Sequence, residues 1–569
     1  MLKLEYLSNN VIILKMLKKI TERRTLILFL LILALAIFWR FWNLEQIPPG
    51  LYPDVAVNGT NALEALKTDQ FKLFYPDNNG REGLFINLIA LSFWLFGASI
   101  WAIKVIPALF GSLTVLGLFL LTKQLFAFMP RAKAEFIALL STFFIAVGFW
   151  HVNFSRIGFR AIMVPFFLVW SFYFLFKGKN AISNRTWTWI LAGLFFGLGF
   201  HTYIAYRVAP LILLPVVVLE IIAYWPRFKM LLARHRPTIA LLKRIYITDG
   251  WWRWDVFFAM LIIAALPIGI YFLSHPQDFI GRAGQVSIFS SGNPIKGLLV
   301  STVKSLGMFN VWGDCNWRHN YACQPALLWP VGIFFLIGFF WSAVQIFRPS
   351  NYSRKKGLLL ITNWTLIFWF FTMLLPEILS AEGLPHALRA IGAIPAVYIF
   401  SGLGLFLIFD FLKNRFVKKG VTLIALYLIL FIILGLIAYA EFNKYFFDWG
   451  LRKEVKDEFT QRLVDEADYL NSLPDSIEKY VMVNETGVSV PYPNGIPMPA
   501  QTIMFITYGR PNIKYLLPNA NANTFLNTKQ AVLMPLSYDG NIFRLLKDKI
   551  PGGHAEEIQK EFSVYKIGF

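Results

Sequence analysis

The sequence predicts an α-helical polytopic membrane protein that ends in a small α/β domain. Three observations predict it. Of 569 residues, 57% are hydrophobic and only 15% are charged, against roughly 25% charged in a soluble globular chain. Runs of about 18 or more apolar residues recur along most of the chain, each long enough to cross a hydrocarbon layer of roughly 30 Å. After Glu441 these runs stop. The β-type stretches KYVMVNE (479–485) and AVLMPLS (531–537) then alternate with polar turns such as PYPNG (491–495).

The first apolar run, Leu26 to Trp42, follows the basic stretch KMLKKITERR. It continues through Phe38, Trp39, Arg40, Phe41 and Trp42 with no small-residue cleavage site, so it reads as a retained span rather than a signal peptide. Ten further spans are expected at 104–122, 134–150, 161–176, 187–203, 208–225, 255–273, 326–345, 358–375, 390–411 and 421–440. One more run, Gly83 to Ala98, has similar length. The basic gaps decide how it is read, because Lys and Arg concentrate on the cytoplasmic side. These gaps are Lys15 to Arg24; Lys123, Arg131 and Lys133; Lys177, Lys179 and Arg185; Arg227 to Arg244; Arg348 to Lys356; and Lys413 to Lys419. Eleven spans put all of them on one side, whereas a twelfth at 83–98 separates the first from the rest. That run is therefore expected to be an interfacial or re-entrant helix.

The formal charge of +21 would point to nucleic acid in a soluble protein. Here the positive-inside rule accounts for it, so the expected partner is membrane lipid and not nucleic acid. The expected organisation is a transmembrane module over 1–440 and an extracytoplasmic soluble α/β domain over 441–569. The N-terminus faces the cytoplasm, in an inner or plasma membrane. The two cysteines, Cys315 and Cys323, do not by themselves make a zinc site. An extracytoplasmic loop would favour a disulfide; two free thiols are the alternative.

The two faces differ in content. The basic gaps carry little else, while the loops expected outside are rich in Asp, Glu, His, Arg, Asn and Trp. In the first of these loops, Pro53-Asp54 starts a helical stretch. A helix-capping role is the plain reading of Asp54, and a catalytic carboxylate is the other. Arg81 and Glu82 follow, and a solvated turn would explain them. Arg156 and Arg160 sit four residues apart in HVNFSRIGFR, and His201, Tyr203, Tyr206 and Arg207 lie in GFHTYIAYR. Arginines at span ends can snorkel to headgroups. Arginine outside nevertheless runs against the charge bias, and its geometry suits a phosphate. The stretch GDCNWRHNYACQP brings Trp317, Arg318 and His319, and PEILSAEGLPHALRAIG brings Glu382, His386 and Arg389. Histidine with carboxylate can hold a metal, but these spacings match no strong metal pattern. No cofactor is assigned, and a divalent cation is left open.

Taken in order, PPGLYPDVAVNGTNAL (48–63), NNGREGLFINL (78–88), FSRIGFRA (154–161), GFHTYIAYRVAP (199–210), GDCNWRHN (313–320) and LSAEGLPHALRAIGAIP (379–395) resemble the GT-C-fold glycosyltransferases of the protein O-mannosyltransferase and aminoarabinose transferase superfamily, family 39-like. The resemblance covers about the first 400 residues. It implies transfer of a sugar from a polyprenyl-monophosphate donor to a hydroxyl of a protein, lipid or glycan acceptor, at the extracytoplasmic face of the cell envelope, with inversion. It maps the essential acidic residue of the first loop onto Asp54, as base toward the acceptor hydroxyl. Arg156, Arg160, His201 and Arg207 are the expected donor-phosphate ligands. Arg81, Glu82, Tyr203, Tyr206, Trp317, Arg318, His319, Glu382, His386 and Arg389 are the expected substrate contacts. The family often has Asp-Glu where this chain has Asp54-Val55, which weakens the case for a cation at that point. Glu82 or Asp77 could restore a second carboxylate in space.

Two other functions fit parts of the sequence. A lipid-linked glycan polymerase or ligase shares the chemistry and differs in acceptor. A transporter or flippase would place charges at mid-membrane in broken helices, whereas these spans are nearly free of acidic residues.

Overall fold

In the computed structural model the described residues are 2–181, 185–234, 246–248, 250–285, 287–290, 293–348, 354–417, 422–488, 490, 495–517, 530–558 and 561–569. Most of the PYPNG turn and parts of the basic gaps at 227–244, 348–356 and 413–419 lie outside them. Among the described residues, nine helices are long and apolar enough to cross a membrane, and the protein is a multi-span membrane protein.

These nine coincide with nine of the eleven expected spans. The other two are shorter helices. The run 134–150 forms α5 (Arg131–Val147), which stops where Gly148 turns extended before the short α6 (Phe149–Phe154). The run 187–203 forms α8 (Thr186–Leu198) and then a 3₁₀ turn at Gly199–His201. At 13 residues, α8 is about 20 Å long. It ends where the Tyr206 ring packs so closely on Gly199 that a Cβ there would lie 2.0 Å from it. The doubtful run 83–98 forms α3 (Leu84–Phe96), also 13 residues and so about 20 Å, short of the roughly 30 Å of a bilayer core.

The chain separates into two compact units. The first comprises Met1–Trp42, Pro107–Ile270 and Ala283–Tyr445. It holds α1 (Leu2–Phe41) and most of α4 (Ile100–Leu125), together with α5 to α9 (α7 Met163–Asn180 and α9 Leu213–Arg234) and the helices Trp329–Phe347, Arg354–Ile378, Ile394–Phe416 and Leu423–Phe442. Its packing depends on small residues at helix crossings, as expected where lipid removes the hydrophobic drive between helices. A Cβ on Gly338 would lie 1.9 Å from the Phe400 carbonyl, and one on Gly404 would lie 1.9 Å from the Phe334 carbonyl. Gly193 and Gly197 give the Trp252–Ser274 helix the same close approach.

The second unit comprises Asn43–Ile106, Tyr271–Arg282 and Phe446–Phe569. The expected α/β fold is present here. Strands β3 (Glu478–Met482), β4 (Ile513–Leu516), β5 (Ala531–Pro535), β6 (Gly553–Ile558) and β7 (Phe562–Ile567) form one sheet in the order β4-β3-β5-β7-β6. β3 runs parallel to β4 and β5, and β7 runs antiparallel to β5 and β6. The Gln461–Ser472 helix seats Leu463, Ala467 and Leu470 against Val481, Val532 and Met534. The early chain completes this unit. α2 (Pro53–Thr68) lays Gly59 against the Phe505 ring, where a Cβ would lie 2.6 Å away. The hydroxyls of Thr460 and Thr502 both donate to the Leu51 carbonyl, at 3.0 and 2.7 Å.

Candidate active site

In the second unit the polar residues of the first loop converge on one face of α2. Pro53 takes the first helical position, where its missing N–H costs nothing, and Asp54 takes the second. The N-cap is Tyr52, with no side-chain cap bond, so Asp54 does not cap the helix by the bond expected of an N-cap aspartate. Its half-buried carboxylate instead accepts a 2.9 Å bond from the Asn78 amide.

Asp54, Asn58 and Asn61 stand at i, i+4 and i+7 and so share a face of α2. Asn58 Oδ1 accepts from buried Arg81 at 2.7 Å and Asn61 Oδ1 at 3.3 Å. Asn61 in turn donates to Asp77 Oδ2 at 3.2 Å. The turn that returns Asp77–Arg81 to the helix needs left-handed backbone at Asn78, Asn79 and Gly80. Asn tolerates that conformation and Gly adopts it freely. A Cβ on Gly80 would also strike the Phe74 ring at 2.4 Å. Arg81 and Glu82 form β2, antiparallel to β1 (Phe74–Tyr75), and Glu82 is buried. Asn58, Asn61 and Asn78 were missed as site residues, although their helical spacing and the Asn-Asn-Gly turn were visible signals.

The same unit contains a cavity of about 680 Å³ lined by Glu45, Gln46, Lys456, Gln461, Asp468 and Tyr508, among others. Burial and then the charges of Asp465 and Glu45 raise the Asp468 carboxyl above its ordinary range.

In the first unit the expected donor ligands have different surroundings. Arg156 is fully buried. It donates to the main-chain carbonyls of Trp39 and Trp42 at 2.6 and 2.8 Å and lies over the Tyr445 ring. Arg160 is half-buried, with its guanidinium 5.3 Å from the Tyr203 ring centre, and Arg207 is also half-buried. His201 Nε2 lies 2.9 Å from the Ala264 carbonyl. Tyr206 is fully buried, with its ring among Phe196 and Phe200.

Loops 313–325 and 379–390 meet in the first unit. Cys315 and Cys323 form a disulfide that closes the first of these loops. Trp317 packs on Tyr321, and the Arg318 carbonyl accepts from Asn153 at 2.8 Å. His319 Nδ1 lies 3.1 Å from Asp314 Oδ2. The rings of His319 and His386 are 4.7 Å apart. Burial, followed by His319, Arg389 and Arg318, holds the His386 imidazole well below its ordinary pKa and hence neutral. Arg389 donates to the Ser380 hydroxyl and to the Glu382 carbonyl, while the Glu382 side chain is exposed. Among the described residues, Asp314, His319 and His386 are the group of three that could hold a metal ion. Asp314, in the same stretch as His319, was not counted as a site residue from the sequence.

Comparison with known proteins follows from this architecture. Residues 84–242 match a family model described as dolichyl-phosphate-mannose-protein mannosyltransferase. The crystal structure of ArnT from Cupriavidus metallidurans bound to undecaprenyl phosphate aligns over 94% of this chain and 97% of its own, with TM-score 0.56 and 12% identity. The chain has the GT-C fold. The apo structure of the same ArnT aligns over the same shares of both chains at TM-score 0.52 and 12% identity. The oligosaccharyltransferase AglB from Archaeoglobus fulgidus, in complex with an inhibitory peptide and a dolichol-phosphate, aligns at TM-score 0.48 and 14% identity over 96% of this chain and 74% of its own. No curated protein matches the sequence significantly. Arg156, Arg160, His201 and Arg207 fall inside the matched stretch of this GT-C chain, while Asp54, at the start of α2, lies before it.

Proposed function

We propose that this GT-C protein transfers a sugar from a polyprenyl-monophosphate donor to a hydroxyl acceptor, on the extracytoplasmic face and with inversion. The observation that carries the reading is Asp54 itself: a half-buried carboxylate at a helix start, oriented by Asn78. A hydroxyl is a weak nucleophile until a positioned base takes its proton. Asp54 accepts that proton as the acceptor oxygen bonds to the anomeric carbon. The bond from that carbon to the phosphate oxygen breaks, and polyprenyl phosphate leaves with the electron pair. The half-buried Arg160 and Arg207, with His201, are assigned to the leaving phosphate, where positive charge is most useful as negative charge develops. Arg156 is assigned a positioning role, since its guanidinium holds the carbonyls of Trp39 and Trp42. The buried Arg81–Asn58–Asn61–Asp77 network keeps the face of α2 fixed.

The test uses purified protein in nanodiscs and a panel of polyprenyl-phosphate sugars, with donor consumption as readout. Asp54→Asn is expected to lower turnover at least about 100-fold, the low end of the contribution of a general base, with unchanged thermal stability. Full activity of Asp54→Asn would remove Asp54 from the mechanism. Counterflow of labelled substrate without covalent product would replace the enzyme reading with a transporter.

A further inference from the structure

We propose that Asp314, His319 and His386 form a binding site for a divalent transition-metal ion of the Zn²⁺ type, which pins loop 313–325 to loop 379–390. Two imidazoles and one carboxylate are the donor set such ions favour, and three protein ligands leave a fourth position for water or an anionic oxygen. In a tetrahedral site with bonds of about 2.1 Å, ligand atoms stand about 3.4 Å apart. Here Asp314 Oδ2 lies 3.1 Å from His319 Nδ1 and 4.0 Å from His386 Nδ1, and one ligand atom from each residue can be chosen so that all three lie within 4.8 Å. Side-chain shifts of a few tenths of an ångström to about an ångström close the site.

The second observation is His386 Nδ1. It is buried, has no hydrogen-bond partner, and faces the Asp314 carboxylate. An orphaned ring nitrogen is costly unless something occupies it, and a cation would use its lone pair. The supports are those of a ligand cage. Asp314 Oδ1 accepts from the Asn316 N–H and Oδ2 from the Ala387 N–H, each at 2.8 Å. The Asp314 carbonyl is held by the Cys323 N–H at 2.9 Å and by the Asn320 amide at 3.1 Å. The His386 N–H donates to Glu377 at 3.1 Å. The His319 ring packs against Phe154 and Phe159. The disulfide next to Asp314 further limits the loop.

The experiment uses the full chain, in detergent or nanodiscs. Protein purified without chelator is analysed for metal by mass spectrometry. The chelated protein is then titrated with Zn²⁺ and with Co²⁺, reading melting temperature and the visible Co²⁺ bands. One equivalent per chain, a melting temperature raised by Zn²⁺, and Co²⁺ bands of tetrahedral type are expected. His386→Gln and Asp314→Asn should bind more than about 100-fold more weakly, beyond the range of outer-shell changes. His275→Gln, outside the cluster, should bind as wild type. If a variant fails to fold, reversible loss and recovery of the Co²⁺ bands in the wild type remains the readout. Absence of a stoichiometric Co²⁺ spectrum in the wild type, or an unchanged one in folded His386→Gln, would overturn the site.

Discussion

At the scale of residues, burial decides what each polar side chain does. Glu466 shows this with a measurable consequence. It is fully buried on the Gln461–Ser472 helix beside Arg462, and its Oε2 has no hydrogen-bond partner. Burial outweighs the pull of Arg462 and raises its carboxyl from 4.5 to about 8. The unfolded chain then releases this proton near pH 4.5, while the folded chain holds it to about pH 8. Between those values the folded state binds more protons, so this group makes stability fall as pH rises, by at most about 1.4 kcal/mol per pH unit. Glu466→Gln keeps the shape and removes the titration. Melting curves from pH 5 to pH 9 are expected to show the variant gaining on wild type as pH rises. A constant difference would mean that Glu466 is ionised throughout.

At the scale of elements, contact between helices turns on glycine. Gly338 and Gly404 meet across the Trp329–Phe347 and Ile394–Phe416 helices, each against a main-chain carbonyl of the other, at 1.9 Å from an added Cβ. Backbone cannot swing aside as a side chain can, so the helices themselves must part. Gly404→Leu is expected to cost at least the ~1–3 kcal/mol of overpacking, read as a lower melting temperature in detergent. Gly435→Leu, where nothing lies within 4 Å, should be neutral. Equal effects would show that the cost is helix propensity rather than contact. Periodicity and hydropathy made the long helices and two of the C-terminal strands, β3 and β5, legible, because both follow local pattern. The spacing of polar side chains made the α2 face legible in principle, since Asp54, Asn58 and Asn61 sit at helical intervals. What joins distant positions was not legible. Nothing local ties Asp314 to His386, or Leu51 to Thr502; those contacts arise from packing of the whole unit. The breaks in α5 and α8 also escaped, because Gly148 and Gly199 are tolerated in apolar helices and act here through neighbouring rings.

At the scale of the whole molecule, the open question is which helices cross. The first unit contains an argument by parity. Arg131 at the start of α5 pairs with Glu22 at the start of the first span and with Glu135 at 2.8 Å. Lys123 at the end of α4 reaches the same Glu135 at 3.2 Å. The beginning of the first span and the end of α4 therefore share one end of the unit. Two crossings, α1 and α4, accomplish that; a third by α3 would carry Lys123 to the opposite end. Lys133 and Asp410, 3.0 Å apart, bring the end of the Ile394–Phe416 helix to this same basic end, where the positive-inside rule puts the cytoplasm. The expected arrangement has eleven crossings, α3 excluded from them by this parity, and the α4–α5 turn and the C-terminus on opposite sides. An epitope inserted between α4 and α5, beside Lys123, should be hidden from antibody in intact spheroplasts and exposed after permeabilisation. A tag after Phe569 should be reached in both. If both tags report the same side, α3 or another counted helix is misassigned, and with it the face on which Asp54 works.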